Sequence, residues 1–251
     1  MFMQIEYPQR YDGMYVLRRT DIDNIATSIL KEYMPHVLES PQRTPINYLA
    51  EDVLFLSFQK RHITPNGSVL GLIAFGDTEI NICDENQRTI RIKIDEATVL
   101  IDQTLFGADQ QRRLNFTLGH ETSHWLLHRP YHDPNNKQFK FRMNNDTNAY
   151  IACRSDNIES CSRKQLITPH DWEEWQADSL SAAILMPLRP FIWAVIDAVR
   201  SANIKERDLK ASASNLYNIK HQIFAAKKYL SNVFNVSIRA VEIRLLQLGY
   251  L

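Results

Sequence analysis

Residues 120–124 read His120-Glu121-Thr122-Ser123-His124, two histidines four apart with a glutamate beside the first. On a helix, residues four apart share a face, so both imidazoles can reach one metal ion. Glu121 then lies about 100° round from His120, placed to take a proton from water at the ion without ligating it. This is the donor set of a hydrolytic zinc centre short of one ligand, since such centres use three protein ligands and keep one position for water. Further along, Glu174-Trp175-Gln176-Ala177-Asp178 places a glutamate and an aspartate one turn apart. Glu174 would complete a His2Glu set for Zn2+. Asp178 would accept the second ring N–H of a ligating histidine and so fix its tautomer. Alone, these two acids read as a solvated helix face; next to H-E-x-x-H they read as metal ligation and its support.

The other reactive side chains are less specific. Four of the eight histidines, His120, His124, His128 and His132, follow one another at intervals of four. His128 is not a third histidine ligand of the extended H-E-x-x-H-x-x-G-x-x-H type, because Leu127 and Pro130 stand where that pattern needs glycine and histidine. It is expected to be structural. A donor for a developing oxyanion is needed besides the metal, and His128, His132, His170 and Tyr150 are its candidates. Cys153 and Cys161 are too far apart for C-x-x-C; they read as ordinary thiols, with a second metal or redox pair as the alternative. Cys83 falls in a strand and reads as core.

The elements that must position these residues follow from periodicity. Ile22, Ile25, Ile29 and Leu30 predict an amphipathic helix after Thr20, with Asp21 and Asp23 near its positive end. A short helix is expected at Pro45 with Thr44 as cap. Residues 53–58, 69–75, 79–83, 90–94 and 98–101 alternate or run apolar as strands do, and Gly76-Asp77 reads as a hairpin turn between the second and third. A small antiparallel sheet is the expectation, with the 90–94 or 98–101 segment as an edge where an extended peptide could dock. Helix returns from about Asp109 to Leu127. Residues 129–170, punctuated by Pro130, Pro134, Asn135-Asn136 and Asn144-Asn145, read as loop or insertion. A strong helix runs from Asp171 to about Met186, stopped by Pro187, and the rest is helical, with Ser237 capping the last helix. The fold class is α+β: a metal-site domain over 1–188 and a helical C-terminal region over 189–251.

The segment RLNFTLGHETSHWLLH (113–128), then EWQADSLSAAILMP (174–187), resembles the ImmA/IrrE family of zinc metallopeptidases, and LSNVFNVSIRAVEIRLLQLG (230–249) is similar to that family's closing helices. Gly119 stands where the family usually has alanine, and the spacer between the two motifs is longer. The resemblance implies a gluzincin-like fold with zinc held by His120, His124 and Glu174 and with Glu121 catalytic. It also implies a cytoplasmic endopeptidase whose substrate is a helix-turn-helix transcriptional repressor, cleaved to relieve repression of a mobile element or stress regulon.

Composition narrows the alternatives. In 251 residues, 44% hydrophobic and 23% charged side chains exclude wholesale disorder. Lys plus Arg equal Asp plus Glu at 29 each, which argues against a chain that binds nucleic acid through its overall charge. No apolar run is long enough for a membrane span, and an odd, low count of three cysteines fits a reducing compartment. The competing reading is a non-proteolytic regulator that binds DNA or a repressor through its tail. Residues 189–251 carry ten Lys/Arg against four Asp/Glu, and 234–245 have a helix-turn-helix-like rhythm. A toxin–antitoxin component using the fold only for protein contacts is a third reading.

Overall fold

A computed structural model describes residues 5–11, 13–132, 149–154, 166–201 and 213–250, with side chains of 213–219 not described. The architecture is α+β, with a small mixed sheet packed against helices. Six strands are described: β1 Ser57–Arg61, β2 Val69–Ala74, β3 Thr78–Cys83, β4 Thr89–Ile94, β5 Thr98–Asp102 and β6 Tyr150–Arg154. The helices are α1 Arg19–Tyr33, α2 Gln111–His132, α3 Pro169–Leu185, α4 Leu188–Ser201, α5 Ala213–Phe234 and α6 Ile238–Gln247.

The expected single antiparallel sheet is instead two sheets. A four-stranded sheet runs β1-β5-β2-β6, with β1 and β5 parallel and the other pairs antiparallel; β3 and β4 form a separate hairpin. Gly76-Asp77 therefore joins two sheets and makes no β2–β3 hairpin. Each face of the larger sheet needs an apolar cover, and the hairpin supplies one. Leu72, Ala74 and Leu100 pack on Ile80, Ile82 and Ile94, so Ile94 and the partly buried Ile92 of β4 cover a sheet rather than extend it, while Ile90 stays exposed. The opposite face, with Ile73, Val99, Ile101 and Ile151, joins the main core with the helices.

Some local expectations hold and others shift. Strand 53–58 gives way to a π-helix over Tyr48–Val53, and β1 begins only at Ser57. Thr44 does not cap it: its hydroxyl donates to the Ile184 carbonyl at 2.8 Å, which ties this turn to the end of α3. α2 passes Pro130 and continues to His132, one turn beyond the expected end. The 129–170 segment is not all loop, since it returns through β6 to the sheet edge. α3 starts at Pro169, two residues before the expected Asp171, behind a capping box. The Thr168 hydroxyl accepts from the Asp171 N–H at 3.1 Å, and Asp171 accepts from the Thr168 N–H at 2.9 Å.

The helical C-terminal region packs on the same core. Leu230, Phe234, Val236, Val241 and Leu245 are buried in it, and Ser237 caps α6 by accepting from the Ala240 N–H at 3.0 Å. Arg112 on α2 donates to Ser231 and Asn232, both at 2.7 Å. Arg244, 3% exposed, pairs with Asp23 on α1 at 2.5 Å and also donates to the Met186 carbonyl. Among the described residues no single helix is long and apolar enough to cross a membrane.

Candidate metal centre

α2 lies between the sheet and α3, which explains why it has no solvent face along its middle. Thr117, His120, Glu121, Thr122, Ser123, His124 and His128 are all fully buried. Burying so many polar groups requires partners for them. Thr122 and Ser123 donate back to the carbonyls of Leu118 and Gly119, each at 2.7 Å. The histidines look to α3, which runs antiparallel, so its residue numbers fall as those of α2 rise. His120 meets Asp178 (Nδ1···Oδ1 2.8 Å), His128 meets Gln176 (Nε2···Oε1 3.1 Å) and His132 meets Glu173 (Nε2···Oε1 2.6 Å). Close approach of the two helices depends on Gly119, because a Cβ there would lie 2.5 Å from the Ser181 hydroxyl oxygen.

The structure brings the three sequence-predicted ligands together. Nε2 of His120 and Nε2 of His124 are 2.9 Å apart. Glu174 reaches them with Oε2 at 3.6 Å from the first and Oε1 at 3.3 Å from the second. Zinc–nitrogen bonds of about 2.0–2.1 Å in a tetrahedron put neighbouring ligand atoms about 3.3 Å apart, so an ion fits with a few tenths of an ångström of adjustment.

The partners also fix the protons. Asp178 accepts, so His120 carries hydrogen on Nδ1 and presents a lone pair on Nε2. Gln176 donates its amide N–H to the Tyr15 carbonyl at 2.8 Å, which turns Oε1 towards His128. His128 must then donate through Nε2 and accept at Nδ1, which lies 2.9 Å from His124 Nδ1. His124 therefore donates through Nδ1 and also presents a lone pair on Nε2. Two lone pairs and a carboxylate converge, an arrangement that asks for a cation. His128 is thus structural, as expected, but its work is to set the tautomer of a ligand.

Electrostatics carry the same message. His124 is pushed well below the ordinary histidine range by burial and then by His120. His128 is pushed down to about 3, chiefly by burial, then by His124. For His120 burial is the largest influence and acts downward, but Cys153 and Asp178 together outweigh it and hold the ring up. Glu121 is raised to about 8, first by burial and then by Glu174, against the pull of His120. Neither of its carboxylate oxygens has a hydrogen-bond partner among the described residues. An acid left bare inside the protein is costly unless a cation or a substrate group belongs beside it.

Gly71 of β2 makes room for that carboxylate: a Cβ there would lie 2.4 Å from Glu121 Oε1. Gly71 and Gln176 touch residues of the candidate site, and sequence reasoning missed both. The signal for Gln176 was its place between Glu174 and Asp178 on a helix facing a ladder of histidines. For Gly71 there was none, because the contact is made only when sheet meets helix. The oxyanion-donor candidates fare less well. His128 and His132 have other partners, His170 is exposed, and Tyr150 packs with the second apolar cluster on the far side of the sheet. Of the two expected docking edges, β5 is interior; β4 is an edge among the described residues but belongs to the separate hairpin, and the edge of the larger sheet beside the α2 histidines is β6. Cys83 and Cys153 are buried and free of disulfides, and Cys161 lies outside the described residues.

Comparison with protein-family models, curated proteins and solved structures returns no match. His120, His124 and Glu174 form a group that could hold a metal ion, and the case for what it does rests on its chemistry.

Proposed function

We propose that the chain is a zinc-dependent endopeptidase of the gluzincin type, with His120, His124 and Glu174 as ligands, Asp178 orienting His120 and Glu121 as general base. The observation that carries this reading is the convergence of the two Nε2 lone pairs with the Glu174 carboxylate beside the unpartnered Glu121. Bound Zn2+ supplies Lewis acidity towards a peptide carbonyl and makes water acidic enough to attack near neutral pH. Glu121 accepts the proton of the attacking water and delivers it to the leaving amine. A nearby cation lowers the Glu121 pKa from the raised value of the metal-free protein, so the carboxylate is the form that receives the proton. Asp178 and His128 keep both ligand rings in the tautomer that ligates.

The proposed substrate is a helix-turn-helix repressor in the cytoplasm, following the motif resemblance. Binding of DNA through the basic tail is less well supported, because Arg239 and Lys227 pair with Glu242 and Arg244 is buried against Asp23. Metal content tests the proposal. About one zinc per chain is expected in the wild type, largely lost in Glu174→Ala. Glu121→Gln should retain zinc and lose hydrolysis. A wild type without zinc after supplementation at neutral pH would overturn the reading.

A further inference from the structure

The N-terminal segment folds back on itself, with the Val16 N–H donating to the Pro8 carbonyl and the Arg10 N–H to the Met14 carbonyl, both at 2.8 Å. Tyr11 and Val16 on it are exposed, but Met14, Tyr15 and Leu17 are buried, the last two in the main core. The Tyr15 hydroxyl donates to the Ile5 carbonyl at 3.1 Å. This anchoring holds the Tyr15 carbonyl 2.8 Å from Gln176 Nε2 on α3. A carboxamide is nearly symmetric in shape, so Gln176 has two orientations with the same packing and opposite hydrogen bonding. With Nε2 on the Tyr15 carbonyl, Oε1 accepts from His128, and the contacts at 3.1 and 2.9 Å along His128 leave the Nε2 lone pair of His124 free. With the amide turned over, its N–H donates to His128 Nε2. His128 then donates through Nδ1 to His124, and the His124 proton moves to Nε2, where it blocks ligation. The turned amide would also set Oε1 against the Tyr15 carbonyl, acceptor to acceptor. Among the described residues the amide has no other partner, so one backbone oxygen far from His124 in sequence selects the orientation that exposes its lone pair.

We propose that the Tyr15 carbonyl is a positioning group of the metal centre, so that docking of the N-terminal segment and metal loading are linked: the segment holds His124 ready for zinc, and zinc holds the segment in place. This rests on the metal reading above. Such coupling is reciprocal by thermodynamic necessity. The two-state element that carries it is the Gln176 amide, which the carbonyl biases from one side and the metal, through His124 and His128, from the other.

Chelator competition for zinc on the full-length chain tests this without reference to activity. Tyr15→Ala, which removes the ring that anchors the carbonyl, is expected to lower zinc affinity about tenfold. Tyr15→Phe, which loses only the hydroxyl contact to Ile5, should stay near wild type. Gln176→Leu breaks the same chain of contacts, so adding Tyr15→Ala to it should weaken zinc binding no further; a segment that only stabilised the fold would give additive losses. Hydrogen exchange of the wild type reads the reverse direction. Zinc should slow exchange at the Arg10, Gly13 and Val16 amides beyond any change in the β3–β4 hairpin, and Gln176→Leu should abolish that difference. If Tyr15→Ala does not fold, the exchange experiment alone decides. Wild-type zinc affinity in Tyr15→Ala, additive losses, or exchange in the segment unmoved by zinc would overturn the proposal and leave the three-ligand centre standing. A wild type that binds no zinc would remove the metal centre and this proposal together.

Discussion

Gln176→Leu is the sharpest probe of how the metal centre is built. Gln176 touches no ligand atom; it acts through His128 on His124. Leucine keeps much of the volume but removes the acceptor for His128 Nε2–H and the donor to the Tyr15 carbonyl. A buried donor left without a partner costs about 1–3 kcal/mol of stability. The remaining partner for the His128 proton is His124, 2.9 Å away through the two Nδ1 atoms. If His128 donates there, His124 must hold its own proton on Nε2, where the metal would bind. Loss of such an orienting contact lowers metal affinity by about 10–100-fold, or about 1.4–2.8 kcal/mol. Zinc affinity from chelator competition and unfolding of the chelated protein should therefore both fall. Gln176→Glu separates the two effects: it keeps the acceptor for His128 but sets a carboxylate against the Tyr15 carbonyl, so stability should drop while zinc affinity is largely kept. Zinc affinity within twofold of wild type in Gln176→Leu would refute the tautomer argument.

Other consequences can be measured directly. Gly71→Ala should displace the Glu121 carboxylate and destabilise by about 1–3 kcal/mol; hydrolysis should fall more steeply than zinc content, since no ligand is touched. Arg244→Met leaves Asp23 buried without its cation, and the denaturant midpoint should show a loss of about 3–5 kcal/mol. In the chelated protein, Glu121 is raised from 4.5 to about 8. Its contribution to stability is complete below 4.5 and is lost as pH climbs through 8. His128, lowered from 6.5 to about 3, acts in the opposite direction, but only as pH falls below 6.5. Thermal melts should therefore show the chelated protein losing about 2 kcal/mol from Glu121 between pH 6.5 and 8. Glu121→Gln should reduce that loss without abolishing it, because His120, also held above its ordinary value, loses stability in the same direction as pH rises above 6.5; an equal slope in the variant would place its origin elsewhere.

The metal-facing residues were legible because they depend on local spacing. H-E-x-x-H on one helix and Glu174 with Asp178 on the next need only helical geometry, and the structure supplies it. The strands were also visible segment by segment, from β2 to β5. Their pairing was not, because the alternation of Ile90, Ile92 and Ile94 suggests a covered face but does not say by which sheet, nor that the cover stops short of Ile90. β6 was hidden for a related reason: five residues inside a polar, proline-punctuated stretch carry too little pattern to be read as a strand. Pro130 misled in the other direction, since α2 carries on past it under the packing of His132 against Phe75 and Glu173. Gly71, Cys153 and the Tyr15 carbonyl join the site from segments distant in sequence, which no local pattern encodes.

The pair between Asp23 and Arg244 also bears on when the molecule becomes whole. These residues are 221 positions apart, so α1 leaves the ribosome long before the helix that pairs with it. His120, His124, Glu174 and Asp178 are all synthesised well before α6 exists. Until Arg244 emerges, Asp23 has no cation waiting for it and α1 cannot be buried without stranding a charge. The growing chain thus holds all four of these residues while still lacking the ion pair that closes its core.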